Sequence, residues 1–201
     1  MRRSNDTLKQ VFLDTATALA AAIEAKDPVT GCHGQRVAEL AVRLARAVGV
    51  RDGELDGIYV GAVLHDIGKI AIPTEILMRP HPLNEEEWAL IKRHPLDGAR
   101  IISSVQFPWD VKPIIVQHHE RFNGTGYPAG LRGEEIVLFA RIFAVVDAFE
   151  AMTADRPYRR AMPEEKALDE ITGNAGTQFD PDIASTFVEL RRSEAVARRA
   201  A

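Results

Sequence analysis

Two dipeptides and one isolated acid carry the chemistry this sequence is able to do. His65-Asp66 closes the apolar run Ala62-Val63-Leu64, and Gly68-Lys69 follow it. His118-His119 stands just ahead of a glycine-rich stretch, and Asp147 lies alone in Phe143-Ala144-Val145-Val146-Asp147-Ala148-Phe149. A carboxylate or imidazole at the end or on the inner face of an apolar helix is costly to bury unless a counter-charge or a metal satisfies it. Taken singly, each has a plain structural explanation, such as a hydrogen-bonded histidine or an acid paired with nearby Arg141. Together they point to one shared polar centre, built as helical bundles build metal sites, from side chains on facing helices.

The full histidine set is 33, 65, 81, 94, 118 and 119. Imidazole with a few carboxylates suits Fe, Mn, Zn or Ni and suits Ca or Mg poorly. The candidate ligands are too many for one tetrahedral ion and enough for two. Two metals roughly 3.5–4 Å apart form a clamp for in-line attack at phosphorus, with a bridging hydroxide as nucleophile. Asp66, next to a ligand histidine, is the expected bridge. Lys69 falls three residues on, on the same face if the turn continues, where an ammonium would meet a phosphate oxygen.

The elements that must position these groups are helical almost throughout, since no segment shows sustained strand alternation. Leu8, Phe12, Thr15, Leu19 and Ile23 predict one buried stripe. Val37, Leu40, Ala41, Leu44 and Val48 predict another, closed by Gly49. Further helices are expected from about Glu54 through His65 with a stop near Gly68, from Asn84 with Glu87 as a capping box through Ile91, over Pro108–His119, and over Leu138–Met152. The run Asn123-Gly124-Thr125-Gly126-Tyr127-Pro128-Ala129-Gly130 is a break. Asp180-Pro181 reads as the N-cap and first turn of a last helix. The expected fold is all-α, a single domain of about seven to nine helices over residues 1–201, with an N-terminal helix over 1–21 and a basic end over 188–201.

The 201 residues carry 46% hydrophobic and 27% charged side chains, ordinary for a globular domain and unlike a disordered chain. A net charge of −4 gives no general attraction to a nucleic-acid polymer. The single cysteine, Cys32, allows no intrachain disulfide and is read as a small thiol. Asp6, Lys9 and Asp14 interrupt the first apolar stretch, and no run approaches a membrane span. The expected setting is cytoplasmic, with no membrane partner.

His65-Asp66-Ile67-Gly68-Lys69-Ile70 resembles the signature of the HD-superfamily phosphohydrolases, and Gly126-Tyr127-Pro128 resembles the loop of the HD-GYP subfamily. The similarity runs from about Ala22 to Phe187. It takes in Asp27-Pro28-Val29-Thr30-Gly31 before His33, Ile72-Pro73 through Ile76-Leu77, His94-Pro95, His118-His119-Glu120-Arg121, Arg156-Pro157-Tyr158-Arg159 and Phe179-Asp180-Pro181. The resemblance implies a single HD-domain bundle with the glycine-rich loop near a dinuclear centre. It implies one metal on His33, His65, Asp66 and Asp147, and a second on Asp66, His94, His118 and His119. His81 is left as a loop residue. Lys69, Tyr127, Arg156 and Arg159 are implied as substrate contacts, and Asp66 and Lys69 as the catalytic pair.

The implied activity is hydrolysis of cyclic di-GMP to pGpG and then GMP, with two divalent ions, Fe or Mn ahead of Zn or Ni. Implied partners are diguanylate cyclase (GGDEF), receiver or sensor domains, and a second copy in a homodimer. Alternatives are a phosphodiesterase for another cyclic dinucleotide such as cGAMP or for a nucleotide phosphate, a binding module without turnover, and a di-iron oxygenase. Several positions depart from the family pattern. Val29 stands where some members hold a third metal with glutamate, Asn123 and Glu150 replace aspartates, and Gly34 replaces a serine. Two metals rather than three are therefore expected.

Overall fold

The computed structural model describes residues 2–24, 26, 33–79, 81–155 and 160–200, with side chains over 9–23, 26, 34–79, 81–155 and 160–198. The helices are α1 (Arg2–Glu24), α2 (His33–Ala47), α3 (Asp52–Leu64), α4 (Thr74–Leu77), α5 (Glu85–Ile91), α6 (His94–Ile101), α7 (Lys112–Gln117), α8 (Leu138–Thr153), α9 (Glu164–Gly173) and α10 (Pro181–Ala200). A 3-10 turn, Ile67–Ala71, separates α3 from α4. No strand occurs among the described residues, only the isolated bridges Asn123–Arg132 and Ala175–Phe179. Apart from the single-turn α4, nine helices among the described residues answer the all-α expectation. None among the described residues is long and apolar enough to cross a membrane.

Two helices that are apolar nearly all round form the centre, as a fully surrounded helix must. In α3, Leu55, Ile58, Val60, Ala62, Val63 and Leu64 are buried; in α8, Ala140, Ile142, Phe143, Val145, Val146 and Phe149 are buried. Each such Leu, Ile or Phe contributes about 1.5–3 kcal/mol by leaving water. Helix α2 packs on both through Val37, Leu40, Ala41 and Leu44, all buried as their spacing predicts. It stops where Gly49 takes φ +85° and the Val50 N–H returns to the Ala45 carbonyl at 2.9 Å. Helix α7 reaches α3 closely at Gly61, where an added Cβ would lie 2.8 Å from Ile114 Cδ1.

Both predicted caps form. The Asn84 side chain accepts the Glu87 N–H at 2.9 Å, and Glu87 accepts the Asn84 N–H at 3.0 Å. Asp180 Oδ1 accepts the Asp182 and Ile183 N–H groups at 3.0 and 3.3 Å. Two expectations are corrected. Helix α1 buries Ala16, Ala20 and Ile23, while Leu19 is 45% exposed. In an alanine-rich helix the small side chains permit the closer approach, so the seam follows them and not the largest residue. The expected helix over Pro108–His119 begins only at Lys112, because Pro113 sits in its first turn and an earlier start would put proline inside the helix. It ends at Gln117 with His118 as its cap.

Candidate metal centre

Three helix ends and one mid-helix residue converge. His65 caps α3, and the chain then tightens into the Ile67–Ala71 turn, whose N-cap is Asp66. Gly68 lets that turn lie directly on the start of α6, since a Cβ there would stand 1.9 Å from the His94 carbonyl oxygen and 2.5 Å from the Gly98 nitrogen. His118-His119 terminate α7, and Asp147 projects from the middle of α8.

The distances describe a polar centre inside an apolar shell. His65 Nε2 is 3.2 Å from Asp66 Oδ2 and 4.0 Å from Asp147 Oδ1. His94 Nε2 is 3.4 Å from Asp66 Oδ1 and 3.2 Å from His118 Nε2. Lys69 Nζ reaches Asp66 Oδ2 at 2.7 Å. Among the described residues, the ligand atoms of His94, His118 and His119 all lie within 4.8 Å of one another. Across from them, the Asp66 and Asp147 side chains are 20% and 21% exposed and His65 is buried.

The histidine tautomers are fixed from behind. His65 Nδ1 donates to the Ala62 carbonyl at 2.6 Å, His94 Nδ1 to Ile91 at 2.8 Å, and His118 Nδ1 to Ile115 at 3.0 Å. A carbonyl only accepts, so each Nδ1 carries its proton, and His94 and His118, whose neutral form burial favours, turn a bare Nε2 inward. Burial, reinforced by the neighbouring imidazoles, holds His118 well below its ordinary value. Burial likewise lowers His94, against the pull of Asp66, and brings His119 down to about 4. Two unprotonated Nε2 atoms 3.2 Å apart repel unless a cation lies between them. The donor set therefore fits divalent metal ions.

Asp66 is the anionic counterpart. Burial alone would raise it, but Lys69, His65 and His94 hold it well below the ordinary carboxylate range. Burial also disfavours a charged His65, and there Asp66 and Asp147 outweigh it, so His65 is raised. These directions give a pH prediction for the metal-free protein. Between about 4 and 6.5 an unfolded chain binds protons that His119 refuses, and His94 and His118 shift the same way. His65 opposes them, its contribution being full below its unfolded value and lost as pH rises through its folded one. Three groups against one predict that the melting temperature of chelator-treated protein falls from about pH 7 to about pH 5. An equal or higher melting temperature at the lower pH would contradict the neutral-imidazole assignment.

The glycine-rich loop closes one side. Tyr127 stacks on His119 with ring centroids 4.7 Å apart and 27° between planes, and its N–H donates to the His119 carbonyl at 3.2 Å. Burial, with Asp66 and Asp147 nearby, raises its phenol, which stays protonated and able to donate. Gly126 is required by contact, because a Cβ there would lie 2.3 Å from the Arg121 nitrogen. Asn123 Oδ1 accepts both the N–H and the hydroxyl of Thr125, at 3.1 and 2.7 Å, so this turn needs no aspartate.

Sequence reasoning missed three groups. The buried Glu120 carboxylate accepts the Ala129 and Leu131 N–H groups at 2.7 and 3.0 Å and clamps the loop. Lys92 Nζ stands 5.8 Å from the Tyr127 ring centroid. Lys26 binds the carbonyl end of the Ile67–Ala71 turn. No periodicity marks such partners; only the run His118-His119-Glu120 hinted at the first. Arg141, considered as a partner for Asp147, pairs instead with Asp180. Glu150 lies 3.6 Å from Arg36.

The structure thus brings together His65, Asp66, Lys69, His94, His118, His119, Tyr127 and Asp147. His33 opens α2, but its side chain lies outside the described residues, as do Val29, Cys32, Arg156 and Arg159. His81 is exposed in the loop before α5.

The HD domain family model matches residues 17–183. The chain is 41% identical over 180 residues to the cyclic di-GMP phosphodiesterase response regulator RpfG of Xanthomonas campestris pv. campestris, covering 89% of this chain and 48% of that protein. It is 36% identical over 184 residues to 3'3'-cGAMP-specific phosphodiesterase 2 of Vibrio cholerae serotype O1, covering 90% of this chain and 35% of that protein. The chain thus spans less than half the length of either relative. Among solved structures, Bd1817, an HDG"Y"P protein from Bdellovibrio bacteriovorus, superposes with a TM-score of 0.65 at 22% identity, over 94% of this chain and 64% of that one, which speaks for the fold. With His65-Asp66 at the centre and Gly126-Tyr127-Pro128 beside it, the chain belongs to the HD-domain family, among its HD-GYP members.

Proposed function

We propose that this chain is a metal-dependent phosphodiesterase that opens cyclic di-GMP to linear pGpG, and pGpG further to GMP. The observation that carries this reading is the pair of inward-facing Nε2 atoms of His94 and His118, 3.2 Å apart, with Asp66 against them. In this reading His33, His65, Asp66 and Asp147 hold one divalent ion, and Asp66, His94, His118 and His119 hold the other, with Fe or Mn favoured by the imidazole-rich set. Bound there, the ions would supply Lewis acidity toward a phosphodiester oxygen and acidify water near neutral pH.

The chain's own groups do the rest. Lys69 is already held at the centre by Asp66 at 2.7 Å, where its ammonium would offset charge gathering on a phosphate oxygen. The Tyr127 phenol would donate a hydrogen bond, and its ring gives a base or ribose a flat surface. Arg156 and Arg159 are proposed as further contacts to phosphate or guanine edges. A chain of this kind would work under receiver, sensor or GGDEF domains, consistent with the greater length of its relatives.

A second reading, cyclic GMP-AMP as substrate, is favoured by one observation, the 36% identity to a phosphodiesterase named for it. The test is metal analysis of anaerobically purified protein, with cyclic di-GMP and cGAMP turnover followed side by side by chromatography. Two metals per chain and pGpG formation are expected, with turnover lost to chelator and restored by Fe(II) or Mn(II). Faster cGAMP cleavage would move the substrate. Two metals without cleavage of either compound would reduce the chain to a binding module.

A further inference from the structure

The turn that carries Asp66 and Lys69 leaves its last carbonyls without partners of its own, as every short helix end does. Lys26 supplies them. Its Nζ donates to the Ile70 carbonyl at 2.8 Å and the Ile72 carbonyl at 2.6 Å, across 44 and 46 residues of sequence. A cation at the carbonyl end of a turn is also favourably placed with respect to the peptide dipoles.

The position of Lys26 gives these bonds their meaning. It lies just beyond α1, whose Lys26 N–H still bonds the Ile23 carbonyl at 2.9 Å, and ahead of His33, the first residue of α2. The turn is thus gripped at two points. At Gly68 it lies against the start of α6, with no room for a Cβ, and at Ile70 and Ile72 it hangs from Lys26. From the far grip the backbone bonds run back past Gly68: the Ile72 N–H bonds the Lys69 carbonyl at 3.0 Å, and the Lys69 N–H bonds the Asp66 carbonyl at 2.9 Å. Slack at the far grip therefore passes directly into the backbone that aims Asp66 and Lys69.

Helix α1 is seated more lightly than the central helices. It buries Ala16, Ala20 and Ile23 and packs on α3, on the Ile67–Ala71 turn and on α2, with Phe12 against Phe107 and Trp109 at centroid distances of 5.8 and 6.3 Å. A cavity of 330 Å³ lies between α1, α2 and α3, lined in part by Gln10, Gln35, Arg46 and Tyr59.

We propose that Lys26 is a positioning residue for the metal centre: its ammonium fastens the far end of the Ile67–Ala71 turn, holds Asp66 and Lys69 in register with His94, and ties their setting to the seating of α1. The inference rests on the metal-centre reading, but the fastening itself is testable without metal.

The experiment uses Lys26→Met and Lys26→Arg in the whole chain, read by amide hydrogen exchange of the metal-free protein and by Mn(II) affinity. In Lys26→Met the Lys69 and Ile72 amides should exchange roughly 10-fold faster, while those of α8 keep their rates. Mn(II) affinity should weaken by about 10–100-fold, the usual effect of losing a group that orients a ligand. Lys26→Arg, which keeps the charge and two or more donors, should recover most of both. Unchanged exchange and affinity in Lys26→Met would overturn the proposal, and so would an equal acceleration in α8, which marks general loosening. If the methionine variant does not fold, Lys26→Gln, which keeps one donor group, should show an intermediate acceleration confined to the turn. A wild-type protein that binds no Mn(II) would sink the metal-centre reading, and the exchange rates would still decide the role of Lys26.

Discussion

If the proposed function holds, Asp66→Asn should leave a folded protein that keeps at most one metal and turns over cyclic dinucleotide far more slowly. Asparagine keeps the shape of the side chain, so the Ile67–Ala71 turn retains its cap residue and its seat against α6. What is lost is charge. Asp66 meets His65 at 3.2 Å, His94 at 3.4 Å and Lys69 at 2.7 Å, and these three neighbours hold it ionised well below the ordinary carboxylate range. Without it, Lys69 loses its carboxylate neighbour at 2.7 Å, and a divalent cation would enter a centre poorer by one negative charge beside an ammonium. The amide nitrogen, if turned toward His94, would also present a donor where a ligand should be. Turnover should fall by roughly 10³-fold or more, as when a charge-stabilising group acting in concert with others is removed. Metal analysis should read at most one ion per chain, with the far-ultraviolet circular dichroism unchanged. Two ions and wild-type turnover in Asp66→Asn would remove Asp66 from the centre altogether.

How far such a centre can be read from sequence depends on the kind of interaction involved. The helices that bury a wide apolar stripe were legible: α2 through Val37, Leu40, Ala41 and Leu44, and α8 through its continuous hydrophobic run. Caps were legible for the same reason, because Asn84 with Glu87 and Asp180 with Pro181 act over three or four residues. The centre itself was legible as an anomaly, polar residues where an apolar helix should bury them, and the resemblance gave those residues roles. Helix α1 was misread because alanine dominates it and the stripe loses its contrast. The start of α7 was misread because Pro108 and Pro113 offer two equivalent first turns, and packing of Trp109 and Val111 chooses the second. Lys26, Glu120 and Lys92 were invisible because each acts on a partner set by the fold. Lys26 reaches carbonyls 44 and 46 residues away, and its side chain alone gives no sign of them.

Gly68 is the position where one added methyl group should do most to the fold and the site together. Its Cβ would lie 1.9 Å from the His94 carbonyl oxygen, 2.8 Å from the His94 carbonyl carbon and 2.5 Å from the Gly98 nitrogen. All three are backbone atoms, so no side chain can swing away to make room. The turn and α6 must separate, and both are anchored elsewhere, the turn by Lys26 and α6 by buried Pro95 and Ala99. Gly98 repeats the constraint from the opposite side, since its own Cβ would come within 3.2 Å of the Gly68 nitrogen and 2.9 Å of Ile115 Cγ2. Gly68→Ala should therefore cost at least about 3 kcal/mol, the upper end of ordinary overpacking. Asp66 sits two residues before the clash and His94 is the residue struck, so separation also pulls the Asp66 carboxylate and the His94 imidazole apart. A denaturant titration should place the variant's midpoint well below wild type, and whatever remains folded should bind Mn(II) at least roughly 10-fold more weakly. A Gly68→Ala protein with wild-type stability and metal affinity would mean that the turn and α6 do not meet as closely as this packing requires.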